Sequence, residues 1–248
     1  MQGIAASVDN VCLVYHERSG ETLAVDGLSF DIKEGEFVSI VGPSGCGKTS
    51  VLSLLAGLIK PDSGSVYLMD GGYGYMLQHD HLLNWRTIEG NIMLGLEVRG
   101  KNGEEDRKRA LDLLDDAGLS DFRLSYPRQL SGGMRQKVAL IRTLAFSPKL
   151  LLLDEPFSAL DFQTRLKIAD DVYSIIRSAG TTAILVTHDI SEAISMSDRV
   201  LVFSKRPARI KAEHTIRLSA QDSPIAHRNA PEFKDYFDII WKELDSNE

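Results

Sequence analysis

The architecture of this chain can be inferred from one segment, Gly42-Pro43-Ser44-Gly45-Cys46-Gly47-Lys48-Thr49, which has the form G-x-x-x-x-G-K-T. The glycines leave backbone N–H groups free to turn inward around phosphate oxygens, because no Cβ obstructs them. In such a loop Lys48 reaches the β- and γ-phosphates, and the Thr49 hydroxyl reaches Mg²⁺. The segment therefore predicts that the ligand is a nucleoside triphosphate with its magnesium ion.

The residues on either side of the segment support this interpretation. Phe37–Val41 is a short apolar run that predicts a strand. A helix is predicted directly after the loop, where apolar residues recur at helical spacing, namely Val51, Leu52, Leu54, Leu55 and Leu58. The alternative is a glycine-rich turn that binds nothing. A strand before the loop and a helix after it favour a phosphate-binding loop, to which the helix adds its positive dipole end.

Composition limits the class of protein. With 248 residues, of which 43% are hydrophobic, the chain can form one large α/β domain, with or without an inserted subdomain. The net charge of −7 argues against a nucleic-acid partner, because such binding depends on Lys and Arg contacts to phosphates. Two cysteines, Cys12 and Cys46, are too few for a disulfide framework and indicate a reducing, cytosolic setting.

Membrane segments are not expected from the sequence. No apolar run approaches the roughly 18 residues that a membrane span needs. Residues 1–10 lack the charged and apolar regions of a signal peptide. If the protein works at a membrane, we expect it to do so through a partner.

The order of predicted elements indicates an α/β core that is interrupted by helices. The core is assigned to residues 1–81 and 147–220, an inserted helical subdomain to 82–146, and a helical tail to 221–248, all within one domain. Strands are predicted at Val11–Tyr15, Leu28–Ile32, Phe37–Val41, Leu150–Leu153, Ala183–Thr187 and Arg199–Phe203. Helices are predicted at Glu104–Ala117, after a cap at Ser131, at Phe162–Ser178 and at Pro231–Leu244. The apolar spacing places Phe162 and Trp241 on the buried faces of their helices.

Two acidic residues follow the most apolar of these strands. The strand Leu150–Leu153 runs into Asp154 and Glu155, at the carboxyl edge of the sheet, where open α/β folds bind ligands. Asp154 suits a Mg²⁺ ligand, and Glu155 suits the base that polarises an attacking water. The alternative, two acids that merely open a loop, does not explain why this strand and the phosphate loop occur together.

Three single residues are weaker candidates. His188 ends a predicted strand and could contact the γ-phosphate, although a lone histidine there is more often a satisfied polar group. Gln78 could meet both metal and water. Tyr15 could stack on a base, although an isolated tyrosine is more often a packing residue.

A second glycine-rich turn precedes another predicted helix, in the segment Leu130-Ser131-Gly132-Gly133-Met134-Arg135-Gln136. Bare N–H groups at a helix N-terminus form an anion site. Because one triphosphate already has its loop at Gly42–Thr49, we expect Ser131–Gly133 to contact the γ-phosphate held by a second copy of the chain. The sequence thus predicts a head-to-tail homodimer with two nucleotides between its subunits.

Together these motifs resemble the ATP-binding subunit of an ABC transporter, over at least residues 11–203. Gly42–Thr49 matches the Walker A motif, Leu150–Asp154 the Walker B motif, and Leu130–Gln136 the signature motif. Single positions match as well: Glu155 the catalytic glutamate, Gln78 the Q-loop, His188 the switch histidine, Ser158–Asp161 the D-loop and Tyr15 the adenine-stacking aromatic. The resemblance implies a P-loop NTPase (RecA-like) core with an antiparallel β edge and an inserted α-helical subdomain.

The resemblance also implies a role for each matching residue. Glu155 and His188 would be the catalytic residues, and Thr49, Gln78 and Asp154 would bind Mg²⁺. Contacts to ATP would come from Tyr15, Gly42, Pro43, Ser44, Gly45, Cys46, Gly47, Lys48, Thr49, Ser50, Gln78, Ser131, Gly132, Gly133 and Asp161. The segment Ser65–Leu77 is shorter than is usual in this family, which bears on the shape of the antiparallel edge and on the reach of Gln78.

A narrower similarity is to the nitrate, sulfonate and taurine importers, carried mainly by Leu82-Leu83-Asn84-Trp85-Arg86-Thr87 and by Tyr126-Pro127. Importers of pyrimidine thiamine precursors share much of it. The partners would be permease subunits in the membrane and, indirectly, an extracytoplasmic solute-binding protein, with this chain at the cytoplasmic face. Trp85 would then be either a partner contact or an ordinary core residue.

Three other functions remain as alternatives. A soluble ABC ATPase acting on DNA or ribosomes usually has two cassettes, insertions or basic patches, and this sequence shows none of them. A small-molecule kinase would share Gly42–Thr49 but would not explain Leu130–Gln136. A non-catalytic ATP-binding regulator would not need Asp154, Glu155 and His188.

Overall fold

A computed structural model of the chain describes residues 3–17, 20–101, 103–220 and 223–245. The strands are β1 Ile4–Glu17, β2 Gly20–Lys33, β3 Phe37–Val41, β4 Ser63–Leu68, β5 Tyr73–Met76, β6 Leu150–Asp154, β7 Thr182–Thr187, β8 Arg199–Phe203 and β9 Ile210–Thr215. The helices are α1 Lys48–Leu55, α2 Ile88–Val98, α3 Glu104–Asp116, α4 Gly132–Leu144, α5 Phe162–Ser178, α6 Ile190–Met196, α7 Pro224–His227 and α8 Phe233–Asp245. Every strand and helix predicted above is present; β1 and β2 begin seven and eight residues before their predicted starts, and the other predicted ends differ by at most three residues.

Within these described residues the strands form two sheets. The larger has the order β5-β6-β7-β3-β8-β9, in which only β9 runs antiparallel to its neighbour. The smaller is antiparallel, with the order β2-β1-β4. The predicted P-loop NTPase core with an antiparallel β edge is therefore confirmed. The short segment Ser65–Leu77 still supplies most of β4 and all of β5.

The central strands separate the two largest of the three core clusters in the described residues. All residues of β3, β6 and β7 are buried, as expected of parallel strands covered on both faces. Alternate side chains of β6 point to opposite faces of the sheet. Leu151 and Leu153 join the core that the helices of the 82–146 region cover, whereas Leu150 and Leu152 join the core beneath α1 and the antiparallel sheet.

The region 82–146 is helical, as the sequence predicted, and α2, α3 and α4 pack against one another. Ser131 caps α4 by accepting a hydrogen bond from the Met134 N–H at 3.3 Å, which confirms the predicted cap. Whether this region behaves as a separate subdomain, and where its boundaries lie, stays a prediction.

Three residues do not lie where the sequence predicted. Leu58 is outside the predicted helix, because α1 ends at Leu55 and the chain turns at Gly57, whose φ is 65°. Phe162 is exposed because it opens α5, in which full burial begins only at Ile168.

The third is Trp241. Successive helical residues point about 100° apart, and α8 turns Ile240 rather than Trp241 towards the core. The indole instead stacks on Phe237, with ring centroids 6.1 Å apart. Part of the predicted tail, at 221–222 and 246–248, lies outside the described residues.

Among the described residues, no helix combines the length and the apolarity that crossing a bilayer requires.

Candidate functional site

The segment between β3 and α1 folds as a tight loop at the carboxyl edge of the larger sheet. Gly45 and Gly47 have φ angles of 74° and 120°, a region that favours glycine. A Cβ on Gly47 would lie 2.9 Å from the Ala24 carbonyl oxygen, so only glycine lets the loop pack this closely against the antiparallel sheet. The sequence G-x-x-x-x-G-K-T therefore produces this conformation through backbone freedom and packing together.

Lys48 and Cys46 lie inside this loop. The Lys48 ammonium donates hydrogen bonds to the carbonyl oxygens of Gly42 at 2.7 Å and Pro43 at 3.0 Å, and the side chain is buried. Cys46 is buried too, and burial raises the pKa of its thiol. The loop's own carbonyl oxygens thus fix the position of the Lys48 ammonium. The Cys46 thiol is a buried packing group rather than a reactive one.

A cavity of 200 Å³ opens in front of the loop. It is lined by Ser44, Gly45, Gly47, Lys48, Thr49, Ser50, Glu155 and Arg206. At one side Tyr15, half-exposed on β1, donates its hydroxyl to Ser50 Oγ at 3.1 Å. The structure thus brings the predicted aromatic next to the start of α1 and leaves much of its ring open to a ligand.

Asp154 lies behind the loop, at the end of β6. The Thr49 hydroxyl donates to Asp154 Oδ1 at 3.2 Å. Burial raises the pKa of the Asp154 carboxyl; the Thr49 hydrogen bond opposes the rise and the charge of Glu155 adds to it. Tyr75 on β5 lies beside the same carboxylate, and burial, together with the charge of Asp154, raises the pKa of Tyr75 to about 12. These contacts hold a carboxylate and a hydroxyl oxygen side by side.

Glu155 and His188 form a pair at the same edge. Glu155 has a φ of 45°, its N–H is bonded to the Val186 carbonyl oxygen on β7, and its Oε2 lies 3.0 Å from His188 Nδ1. Gln78 is connected to this pair through Ser158: the Gln78 amide donates to Ser158 Oγ at 3.3 Å, and Ser158 Oγ donates to the Glu155 carbonyl oxygen at 3.0 Å. Three separately predicted residues thus lie in one hydrogen-bonded chain.

The signature turn Ser131–Gly133 lies elsewhere. None of its three residues is among those that line the cavity, and Ser131 is exposed. A Cβ on Gly132 would have Leu160 as its nearest neighbour, at 3.6 Å, so the turn adjoins the segment before α5. In that segment Asp161 caps α5 by accepting from the Thr164 N–H at 3.1 Å, and hydrogen bonding by Thr164 lowers the pKa of Asp161.

A cluster of charges lies beneath His188. Glu192 is buried and accepts a hydrogen bond from the Thr187 hydroxyl at 2.7 Å. Its other oxygen lies 3.8 Å from Arg165 Nε. Burial raises the pKa of Glu192 to about 7; Asp189 adds to the rise, whereas Arg165 and Arg228 oppose it.

Arg165 connects two predicted parts of the site. It donates to the Leu160 carbonyl oxygen at 3.0 Å, next to Asp161, and lies 3.5 Å from Asp189 Oδ2, next to His188. The turn before α5 and the turn after β7 are therefore joined within one chain.

Three residues of this site were not singled out from the sequence. Ser158 belongs to the D-loop match, so that resemblance could have identified it. Tyr75 stands three positions before Gln78 in a strand that pairs with β6, a relation visible only once the sheet is assembled. Arg206 follows the last parallel strand, and no spacing in the sequence connects it with the phosphate loop.

Comparisons with known proteins find a family model, relatives and solved structures that match this chain. The family model described as "ABC transporter" matches residues 25–158. An uncharacterized ABC transporter ATP-binding protein, YtlC, from Bacillus subtilis is 48% identical over 97% of this chain and 96% of its own length. The nitrate import ATP-binding protein NrtD from Synechocystis is 38% identical over 92% of this chain and 90% of its own length.

A solved structure also matches this chain closely. It is described as a dimeric structure of a post-hydrolysis state of the ATP-binding cassette MJ0796, bound to ADP and Pi. It superimposes with a TM-score of 0.73 at 35% identity, over 86% of this chain and 99% of that one.

Proposed function

This chain belongs to the ABC transporter family and is an ATPase of that family, and we propose that it powers the import of a small solute through a separate membrane permease. The observation that carries the proposal is the convergence of the phosphate loop, Asp154 and the Glu155–His188 pair at one sheet edge. The similarity to a nitrate import protein supports import and a small solute. The exposed position of Ser131, outside the cavity of its own chain, supports a second copy as the partner.

The nucleotide is ATP in this proposal. Its phosphates would occupy the cavity in front of Gly42–Thr49, where backbone N–H groups, Lys48 and the N-terminus of α1 favour an anion. Its base would stack on the open face of Tyr15, and Ser50 would lie beneath the α-phosphate. The cavity with Lys48 would thus take the phosphates, and the ring of Tyr15, bonded to Ser50 at the cavity wall, would take the base.

Magnesium fits the donors present. Thr49 and Asp154 offer a hydroxyl and a carboxylate oxygen 3.2 Å apart, and Gln78 would add an amide oxygen. Hard oxygen donors suit Mg²⁺, which usually takes one or two carboxylates and completes its ligands with phosphates and water. Among the described residues no cluster of three or more His, Cys, Asp or Glu side chains forms a metal site of its own. When bound, the ion would neutralise charge on the phosphate oxygens.

The chain's own groups then supply the chemistry. Glu155 would accept the proton of the attacking water, because its carboxylate lines the cavity and its orientation is set by His188. His188 would steady the transferred phosphoryl group from the same edge. Through the hydrogen bonds Gln78–Ser158–Glu155, a nucleotide bound in the site would change the position of the segment after β5.

The second copy would complete each site. Ser131–Gly133 would add N–H groups and the N-terminus of α4 to the γ-phosphate held by the facing chain, and Asp161 would lie beside the same interface. The solved dimeric cassette bound to ADP and Pi supports this arrangement. Loss of the γ-phosphate would remove the link between the two chains and let them separate.

The segment after Gln78 would carry the motion to the permease. Arg135 of α4 binds Asp80 at 2.9 Å, and Arg142 donates to the carbonyl oxygens of Asp80 and His81. Motion of α4 would therefore move this segment. Trp85 is 75% exposed, which excludes the core-packing alternative and supports a partner contact at the cytoplasmic face of the membrane.

Sedimentation velocity of Glu155→Gln with and without ATP and Mg²⁺ tests the two-chain site. With hydrolysis blocked, we expect monomers without nucleotide and dimers with ATP. The matched control is the double variant Lys48→Ala/Glu155→Gln, which should stay monomeric. An ATP-bound monomer of Glu155→Gln at all concentrations would refute the shared site.

A second measurement separates a transport subunit from a soluble ABC ATPase. ATPase activity should rise with membranes that contain a cognate permease, and should not respond to DNA or ribosomes. Stimulation by nucleic acid alone would favour the alternative.

A further inference from the structure

Arg206 lies where the established motifs of this family give no reason to expect a ligand contact. It is in the connection between β8 and β9, and it lines the same cavity as Ser44, Gly45 and Lys48. Of the lining residues in the described part of the chain, only Lys48 and Arg206 carry positive charge.

The connection that carries Arg206 is fixed in place. The Ser204 N–H donates to the Arg209 carbonyl oxygen at 2.9 Å, and the Arg209 N–H donates to Ser204 Oγ at 3.0 Å. The Ala208 N–H is bonded to the Ala24 carbonyl oxygen at 2.9 Å. A Cβ on Gly47 would lie 3.1 Å from Ala208 Cβ, so the connection packs directly against the phosphate loop. The position of Arg206 is therefore set by backbone bonds rather than by its own side chain.

The guanidinium lies over Gly45. Its Nε donates to the Gly45 carbonyl oxygen at 3.0 Å, and its Nη2 is 3.6 Å from the point where a Cβ on Gly45 would stand. A guanidinium has five N–H donors in a rigid fork, and this contact uses one of them. The absence of a side chain on Gly45 leaves the approach to the loop open on this side.

Arg206 also differs from its neighbours in its charge partners. Arg209, in the same connection, pairs with Asp26 through Nε at 3.1 Å, and Arg199 pairs with Glu36 and Glu213. In the described residues no carboxylate lies within ion-pair distance of Arg206. Glu155 lines the same cavity but pairs with His188.

We propose that Arg206 is a further phosphate-binding residue, which holds the Gly45 carbonyl with Nε and offers its Nη groups to the terminal phosphates of a nucleoside triphosphate. A forked guanidinium matches phosphate oxygens in two parallel charge-assisted hydrogen bonds. Together with Lys48 it would supply two positive charges to the phosphate cavity. This inference rests on the proposed function, because it needs a nucleotide in that cavity.

A purely structural role for Arg206 would have a different signature. If the side chain only latched the phosphate loop through the Gly45 carbonyl, a neutral donor would replace it. Arg206→Gln keeps an amide donor and removes the charge, whereas Arg206→Lys keeps the charge and loses the fork. Arg206→Ala removes both.

The test is equilibrium binding of ATP and of ADP, each with Mg²⁺, by calorimetry at 0.05 M and at 0.5 M salt. Arg206→Ala and Arg206→Gln should both bind about tenfold more weakly than the wild type at low salt. Arg206→Lys should fall between them and the wild type. The difference between wild type and Arg206→Gln should shrink at high salt, because the charge is exposed and screened.

Arg209→Ala is the matched control, since it removes the same charge from the same connection outside the cavity, and its affinity should be that of the wild type. If Arg206→Gln binds ATP with wild-type affinity, the proposal is overturned, and the side chain only holds the phosphate loop through the Gly45 carbonyl oxygen. A loss in Arg206→Gln that is unchanged by salt, or wild-type affinity in Arg206→Ala, would overturn it as well. Binding of ATP by the wild type tests the proposed function separately.

Discussion

The chain contains two glycine-rich turns that each lead into a helix N-terminus, yet only one of them forms a cavity. The phosphate loop Gly42–Thr49 is held between the antiparallel sheet and the β8–β9 connection, and its lysine is buried within it. The signature turn Ser131–Gly133 has its serine exposed, while Gly132 adjoins Leu160 and Gly133 is buried against Thr164 and Ile168 of α5. Both turns offer free N–H groups to an anion. A helix N-terminus becomes a binding site when other elements enclose it, and for the signature turn we propose that a second chain does so.

Glu155→Gln should have the largest effect, because it removes the proposed base, which lies beside the phosphate loop and not beside the signature turn. We expect ATP hydrolysis to fall by about 10²- to 10⁴-fold while ATP binding is retained. Steady-state phosphate release and calorimetric binding measure the two quantities. Glu97→Gln, which removes a carboxylate paired with Arg86 away from the cavity, is the control. Turnover within tenfold of the wild type would exclude Glu155 as the base.

Mixing two inactive chains examines the difference between the turns directly. Lys48→Ala damages the first turn and Ser131→Arg the second, so each variant alone should be inactive. A mixed pair of chains contains one intact site if the two turns come from different subunits. Equimolar mixing should restore up to about a quarter of wild-type turnover, if the chains pair at random.

The control for the mixing experiment is the double variant Lys48→Ala/Ser131→Arg, which should restore nothing with either partner. If the mixture stays as inactive as its components, while each variant still binds its partner, the two turns do not share a nucleotide.

Glycine-to-alanine changes compare how tightly the two turns are packed. Gly47→Ala should destabilise the free chain by about 2 kcal/mol or more, because it combines a φ of 120° with a contact of 2.9 Å to the Ala24 carbonyl oxygen. Gly132→Ala should change the free energy of unfolding by less than about 0.5 kcal/mol, since its new Cβ meets Leu160 at an ordinary 3.6 Å. Urea unfolding of both variants measures the difference. Equal losses would mean that the two turns are equally enclosed.

An effect that appears only as the pH changes is expected at the charge cluster that joins the segment beside the signature turn to His188. Because burial raises the pKa of Glu192 to about 7, the folded chain binds more protons than the unfolded chain between pH 4.5 and 7. Stability from this group is therefore present at acid pH and falls as the pH rises through that window. Glu192→Gln should gain stability relative to the wild type from pH 5 to pH 8, by roughly 2 to 3 kcal/mol at most.

Glu89→Gln is the control, because the pKa of Glu89 is shifted in the opposite direction to that of Glu192. Hydrogen bonding to Arg123 lowers the pKa of Glu89, so its contribution to stability is lost only below about pH 4.5. Its stability difference from the wild type should not vary between pH 5 and pH 8. Parallel pH curves for Glu192→Gln and the wild type would show that Glu192 titrates normally in the folded chain.

The local elements were predictable because their signals are local. The strands β3 and β8 and the helix α5 have the predicted ends, since apolar period, caps and glycines mark them in the chain. The predictions for Phe162 and Trp241 failed because a helical period identifies an apolar stripe but not how far the core extends beneath it. The roles assigned to the site residues stay predictions until the experiments above are done.

The amino-acid sequence alone was enough to predict the phosphate loop and the Asp154–Glu155 edge, since each consists of consecutive residues whose backbone geometry follows from their own chemistry. The order of the motifs along the chain was enough to identify the family. Assembly of the fold was needed to connect Gln78 to Glu155 through Ser158, to place Tyr75 against Asp154 and to bring Arg206 over Gly45. These contacts join residues far apart in the chain. Their distances depend on sheet order and on packing between elements, which no local pattern encodes.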